Sequence, residues 1–141
     1  MREERQMIIY EHKVQYYETD QMGIVHHSNY IRWMEEARID FLNQIGWNYR
    51  KLEESGIISP VTSVDCKYKV STKFDELIRI SVKVAEFKGV LLKLAYEMKR
   101  EDTVVCVAAS EHCFLNEEGR ILNLKRHNPA LYETLYKLAT E

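Results

Sequence analysis

The residues that punctuate or cross-link a chain are scarce in this sequence. Five Gly and two Pro in 141 residues exclude collagen-like repeats, low-complexity linkers and long disordered tracts. Three cysteines, Cys66, Cys106 and Cys113, without a C-x-x-C spacing, signal neither a disulfide framework nor a zinc ribbon. No excess of one charge exists either: 20 Lys and Arg face 22 Asp and Glu, a formal charge of −2. Such a balance gives no field for collecting polyanions, so nucleic acid is not expected as a partner. No apolar run approaches the roughly 20 residues needed to span a bilayer. The mixed-charge start Met1-Arg-Glu-Glu-Arg-Gln6 leads into no apolar stretch, so neither a membrane span nor a secretory leader is expected and the protein reads as soluble and cytoplasmic. What the chain does have is 45% hydrophobic and 11% aromatic residues, enough for one tyrosine-rich domain over residues 1–141.

Alternation from Met7 to Tyr17, with Ile8, Tyr10, His12, Val14 and Tyr16 on one face, predicts a first strand. A loop follows, and Ser28 or Asn29 then suits a helix cap. The apolar spacing of Ile31, Met34, Phe41 and Ile45 predicts a helix over 30–45, stopped by Gly46. A short helical turn is expected around 49–54. Four strands are expected next, over 61–70, 77–87, 90–99 and 103–115, with a hairpin at Lys88-Gly89. The last is apolar on both faces, as for a central strand covered on both sides. Pro129 at a first helical position opens a C-terminal helix over 129–141 with Leu131, Leu135 and Leu138. The fold class is therefore α+β with a largely antiparallel sheet. One helix covers only one face of such a sheet, so a second subunit is the simplest cover for the other.

Chemistry concentrates between the first strand and the helix. Asp20 stands seven residues before His27, at a helix start whose free N–H groups and dipole suit a carbonyl oxygen gaining negative charge. The His27 and Ser28 amides are the donors, and Asp20 can attack the carbonyl or activate water. Gly23 allows close backbone approach or a positive φ. Asp, Gly and Ser are equally ordinary turn and cap residues, so spacing alone leaves both readings open. His26 and His27 lack a third spaced metal ligand, and chain neighbours usually point apart. His112 and Cys113, adjacent on a strand, read as a hydrogen-bonded histidine and a buried thiol rather than a catalytic pair. Glu111 reads as an ion-pair partner before a second site carboxylate.

The run Tyr16-Tyr-Glu-Thr-Asp-Gln-Met-Gly-Ile-Val-His-His-Ser-Asn-Tyr-Ile-Arg-Trp-Met-Glu-Glu-Ala-Arg38 resembles the signature of hotdog-fold acyl-CoA thioesterases. The likeness is to the 4-hydroxybenzoyl-CoA thioesterase type, including the branch associated with the Tol-Pal system. It rests on a Tyr four residues before an Asp, then Asp-x-x-Gly-[Ile/Val]-Val-x-[His/Tyr]-x-x-Tyr, then Glu-x-x-Arg. This resemblance implies a long central helix wrapped by an antiparallel sheet and hydrolysis of acyl-CoA to free acid and CoA, with no cofactor or metal. It implies Asp20 as the catalytic carboxylate, the His27 amide as carbonyl donor, and catalytic parts for the His27 side chain and Tyr16. Gly23 and the aromatic Tyr30 then serve substrate binding. His26 departs from the aromatic residue often found at its position. Homodimers with sites at the subunit interface, commonly paired into homotetramers, are implied as well. Two other readings of such a domain are a hydratase or dehydratase of acyl thioesters and a non-catalytic acyl-CoA sensor. The first uses a Gly-Pro-rich motif absent here; the second normally adds a DNA-binding segment, and no basic extension is present.

Overall fold

A computed structural model describes residues 8–141, so the part of the predicted first strand at Met7 lies outside the described residues. The elements run β1 (Ile8–Lys13), α1 (Ser28–Gln44), α2 (Tyr49–Glu54), β2 (Val61–Tyr68), β3 (Leu77–Phe87), β4 (Leu92–Arg100), β5 (Thr103–His112), α3 (Leu124–His127) and α4 (Pro129–Thr140). The five strands form one antiparallel sheet in the order β1-β3-β4-β5-β2. This is the α+β, hotdog-type arrangement expected from the sequence.

Strand alternation decides which side chains meet the helix. Ile78, Ile80, Val82 and Val84 of β3, Leu94, Tyr96 and Met98 of β4, and Cys106 and Ala108 of β5 are all buried. Trp33, Met34, Ala37 and Phe41 of α1 are buried with them in one core, the i, i+1, i+4, i+8 stripe of an amphipathic helix. α4 packs on β3, with Leu131 and Leu135 fully buried and Tyr132 against Phe87 at 5.7 Å. Its start matches expectation: Pro129 opens it, and the Asn128 side chain accepts from the Leu131 N–H.

Three expectations are corrected. β1 ends at Lys13; Tyr16, Tyr17 and Glu18 form a 3-10 turn instead, and the two tyrosines are exposed. The helix starts at Ser28, two residues early, so Ser28 and Asn29 lie inside it and neither caps it. β5 is second from the edge rather than central, and Val107 on its outer face is exposed. The outer face of β5 is thus left uncovered at Val107 by the described residues. The edge beside it is β2, all of whose residues except Cys66 are exposed.

Candidate active site

The loop before α1 is built by backbone bonds. The Asp20 N–H donates to the Ile24 carbonyl (2.8 Å), and the Asp20 carbonyl accepts from Gly23 N–H (3.0 Å). That closure needs a left-handed residue, and Gly23 supplies it at φ +79°, the conformation glycine adopts without a Cβ penalty. Asp20 Oδ1 accepts from the Met22 N–H at 2.8 Å. One carboxylate oxygen is therefore anchored, and Oδ2 accepts no hydrogen bond among the described residues. Bridges Thr19 to Val25 and Ile24 to Lys73, with Val25 N–H donating to the Thr72 carbonyl (2.9 Å), tack the loop to the segment after β2.

His27 is the residue from which α1 departs, and its side chain makes no capping bond. The capping is done by His26, whose Nδ1 accepts from the Ser28 N–H (3.2 Å) and lies 2.9 Å from the Ser28 hydroxyl. The His27 N–H itself donates to no other described residue. A free amide at the start of a 17-residue helix is an electropositive donor in search of an acceptor.

Asp20, His27 and Tyr30 line one side of a cleft of about 300 Å³, and Tyr68, Lys69 and Ser71 line the other. Tyr30 is buried; its hydroxyl pairs with the Thr72 hydroxyl at 2.8 Å. Tyr68 stands edge-on to the Tyr30 ring at 4.9 Å and donates its hydroxyl to the His27 carbonyl at 3.4 Å. Although the residue is half-exposed, desolvation of its hydroxyl within the cleft, reinforced by the neighbouring Cys66, pushes the Tyr68 phenol up to about 12, so it stays a donor at neutral pH. The arrangement unites a carboxylate, a free helix-start amide and an aromatic wall, with Lys69 the cation among the cleft-lining residues.

Residues 14–137 match the sequence pattern of the thioesterase-like superfamily. The chain belongs to that superfamily. The DHNA-CoA thioesterase structure from Staphylococcus aureus is 30% identical, covers 94% of this chain and 90% of its own, and superposes with a TM-score of 0.89. A structure from Aquifex aeolicus is 34% identical over 90% of this chain and 98% of its own, at a TM-score of 0.84. The acyl-CoA thioesterase YbgC of Haemophilus influenzae is 28% identical over 68% of this chain and 71% of its own length. By membership this thioesterase-like protein is an enzyme of the thioester-hydrolase class.

Within this thioesterase-like chain the structure brings Asp20, His27 and Tyr30 to one cleft. Gly23 shapes the loop without lining that cleft. Tyr16 is not brought in: its ring is 75% exposed and packs edge-on to Phe74 at 5.6 Å, because the 3-10 turn rotates it off the strand face it was expected to share. The His26 and His27 rings do not point apart but stack at 4.3 Å. Among the described residues no three His, Cys, Asp or Glu side chains converge on a metal position. Glu111 accepts from the Ser63 hydroxyl at 2.7 Å and takes no part in the cleft. His112 and Cys113 are both buried, and His112 Nε2 pairs with the Ser110 hydroxyl at 2.7 Å. Sequence reasoning missed Tyr68 and Thr72 and left Lys69 unassigned. Tyr68 and Thr72 reach the site through contacts with residues some 40 positions away along the chain, and Lys69 follows Tyr68 into the cleft lining, for which spacing gives no signal.

Proposed function

We propose that the protein hydrolyses acyl-CoA thioesters, and that the free His27 N–H and the Asp20 carboxylate beside one cleft carry the reaction. The thioester carbonyl oxygen accepts from the His27 amide, and the positive end of α1 stabilises the charge it gains. Asp20 Oδ2 either removes a proton from the attacking water or attacks the carbonyl carbon itself to form an anhydride that water then opens. Both routes expel CoA and yield the free acid. Incorporation of labelled oxygen into Asp20 during a single turnover marks the anhydride route. Tyr30 and Tyr68 give the acyl group an aromatic wall, Gly23 keeps the loop tight beside it, and the exposed His27 ring stands at hand for substrate contacts.

The motif over residues 16–38 supports assignment to the 4-hydroxybenzoyl-CoA thioesterase type and its Tol-Pal-associated branch, as one such unit acting in the cytoplasm. Two copies are needed for a whole site: the cleft opens beside β2, whose outer edge has no neighbour in the sheet among the described residues. The test is thiol release from short, long and aromatic acyl-CoAs. Asp20→Asn is expected to lower kcat at least about 100-fold in a folded protein. A folded Asp20→Asn variant with most of its kcat overturns the assignment, and a wild-type protein that binds acyl-CoA without releasing thiol makes it a sensor.

A further inference from the structure

Two residues before Asp20, the Glu18 side chain is withdrawn from water, 4% exposed. A buried carboxylate is costly unless donors surround it, and here three do. Oε1 accepts from the Gln15 N–H (2.8 Å) and faces His12 Nε2 at 2.9 Å; Oε2 accepts from Trp33 Nε1–H at 2.7 Å. Burial alone pushes the Glu18 carboxyl up, but the Gln15 amide, His12 and Trp33 outweigh it and hold it below the usual carboxylate range. The other His12 nitrogen faces Glu36 Oε1 at 3.1 Å, and that oxygen accepts from the Tyr10 hydroxyl at 2.7 Å. The His12 ring also lies against Trp33 at 4.8 Å. Glu18 is thus joined through its side chain to β1 and to the first turns of α1.

Its main chain is joined to the helix start as well. The Glu18 carbonyl accepts from the His26 N–H (2.9 Å) and from Asn29 Nδ2 (2.9 Å). His26 and Asn29 flank His27. The residue that leads the chain into Asp20 therefore also fixes the backbone on both sides of the free amide. A buried carboxylate held by hydrogen bonds is a poor device for stability, since apolar packing of similar volume does as well. It is a good device for setting one geometry.

We propose that Glu18 is a positioning residue: held by Trp33 and His12, it sets the placement of the Asp20 carboxylate relative to the His27 amide. This rests on the thioesterase reading above. A misplacement of about 1 Å between reacting groups costs on the order of 100-fold in rate, and Glu18 is the shared anchor of both groups.

Glu18→Gln keeps the volume but turns an N–H toward one of the three donors. Trp33→Phe removes a single donor and keeps a ring in the core. With each variant shown folded by a cooperative melt above the assay temperature, kcat for acyl-CoA hydrolysis is expected to fall roughly 10- to 100-fold, with KM changed less than about threefold. In an Asp20→Asn background, adding Glu18→Gln is expected to cost less than about twofold more, because a residue acting through Asp20 has nothing left to position. A merely structural Glu18 lowers the melting temperature and leaves kcat intact; that result overturns the proposal, as does a loss confined to KM or one that multiplies fully with Asp20→Asn. Should Glu18→Gln not fold, Trp33→Phe decides by the same criteria. Full activity in Asp20→Asn, read independently of any Glu18 variant, removes the catalytic part of Asp20 and this proposal with it, whereas a wild-type protein that releases no thiol from acyl-CoA removes the thioesterase reading itself.

Discussion

His112 shows how much a single buried group can govern. Its Nε2 pairs with the Ser110 hydroxyl, which in turn pairs with the Tyr96 hydroxyl at 2.7 Å, while Nδ1 has no partner among the described residues. Burial, with the Arg38 charge adding to it, drives the imidazole down to about 3 from an ordinary value of 6.5. The folded protein therefore keeps His112 neutral where the unfolded chain protonates it. Stability from this group is complete above pH 6.5 and is lost progressively as pH falls toward 3, because the unfolded state binds the extra proton. The expected loss between pH 6.5 and about pH 5 is roughly 2 kcal/mol. Urea titrations at the two pH values measure it, and His112→Gln should remove most of the difference. An unchanged slope in that variant assigns the acid sensitivity to other groups.

At the level of elements, the loop between β1 and α1 depends on one left-handed residue. A Cβ at Gly23 would meet nothing within 4 Å, so Gly23→Ala costs only backbone strain. The expected destabilisation is about 1 kcal/mol, seen as a lower urea midpoint with an unchanged m-value. A much larger loss would mean that the turn itself had rearranged. The elements were largely legible in the sequence, because strands such as Leu77–Phe87 and the helix positions Met34 and Phe41 are written in local periodicity, although Ile31, counted in that stripe, is exposed and Trp33 is buried instead. What periodicity cannot express was lost. A 3-10 turn that ends β1 early and the second-from-edge place of β5 depend on tertiary partners, and the cap at His26, though it reaches only to Ser28, uses an imidazole where a hydroxyl or amide is the residue type that signals a cap. Within the site, the position of Asp20 and His27 beside the start of α1 was legible because a helix start is a local feature, while the parts proposed for them came from the resemblance, since spacing alone left both readings open. Nothing in the spacing singled out Glu18, and its burial is decided by His12 and Trp33, which only the fold brings near.

At the level of the whole molecule, the uncovered surfaces adjoin one another. Val61, Val64 and Tyr68 of the edge strand and Val107 of its neighbour are all exposed, and Tyr68 also lines the cleft. An edge strand that has no neighbour among the described residues and exposes Val61, Val64 and Tyr68 beside Asp65 and Lys67 is ordinarily covered where its apolar side chains stand. A second copy adding along β2 would cover it and close the open side of the cleft. Light scattering or sedimentation at micromolar concentration is expected to give a multiple of 16.8 kDa. Val64→Glu should shift the mass toward the monomer and lower kcat/KM at least about tenfold. A fully active monomer would separate the site from the assembly.

The bridges that fasten the Asp20 loop to the segment after β2 also bear on the time course of turnover. A loop already ordered by its own backbone has no closure to perform when substrate arrives, so the entropy of arranging the reacting groups is lost in folding rather than in each encounter. The first turnover should then proceed without a lag, and its chemical step should be indifferent to solvent viscosity.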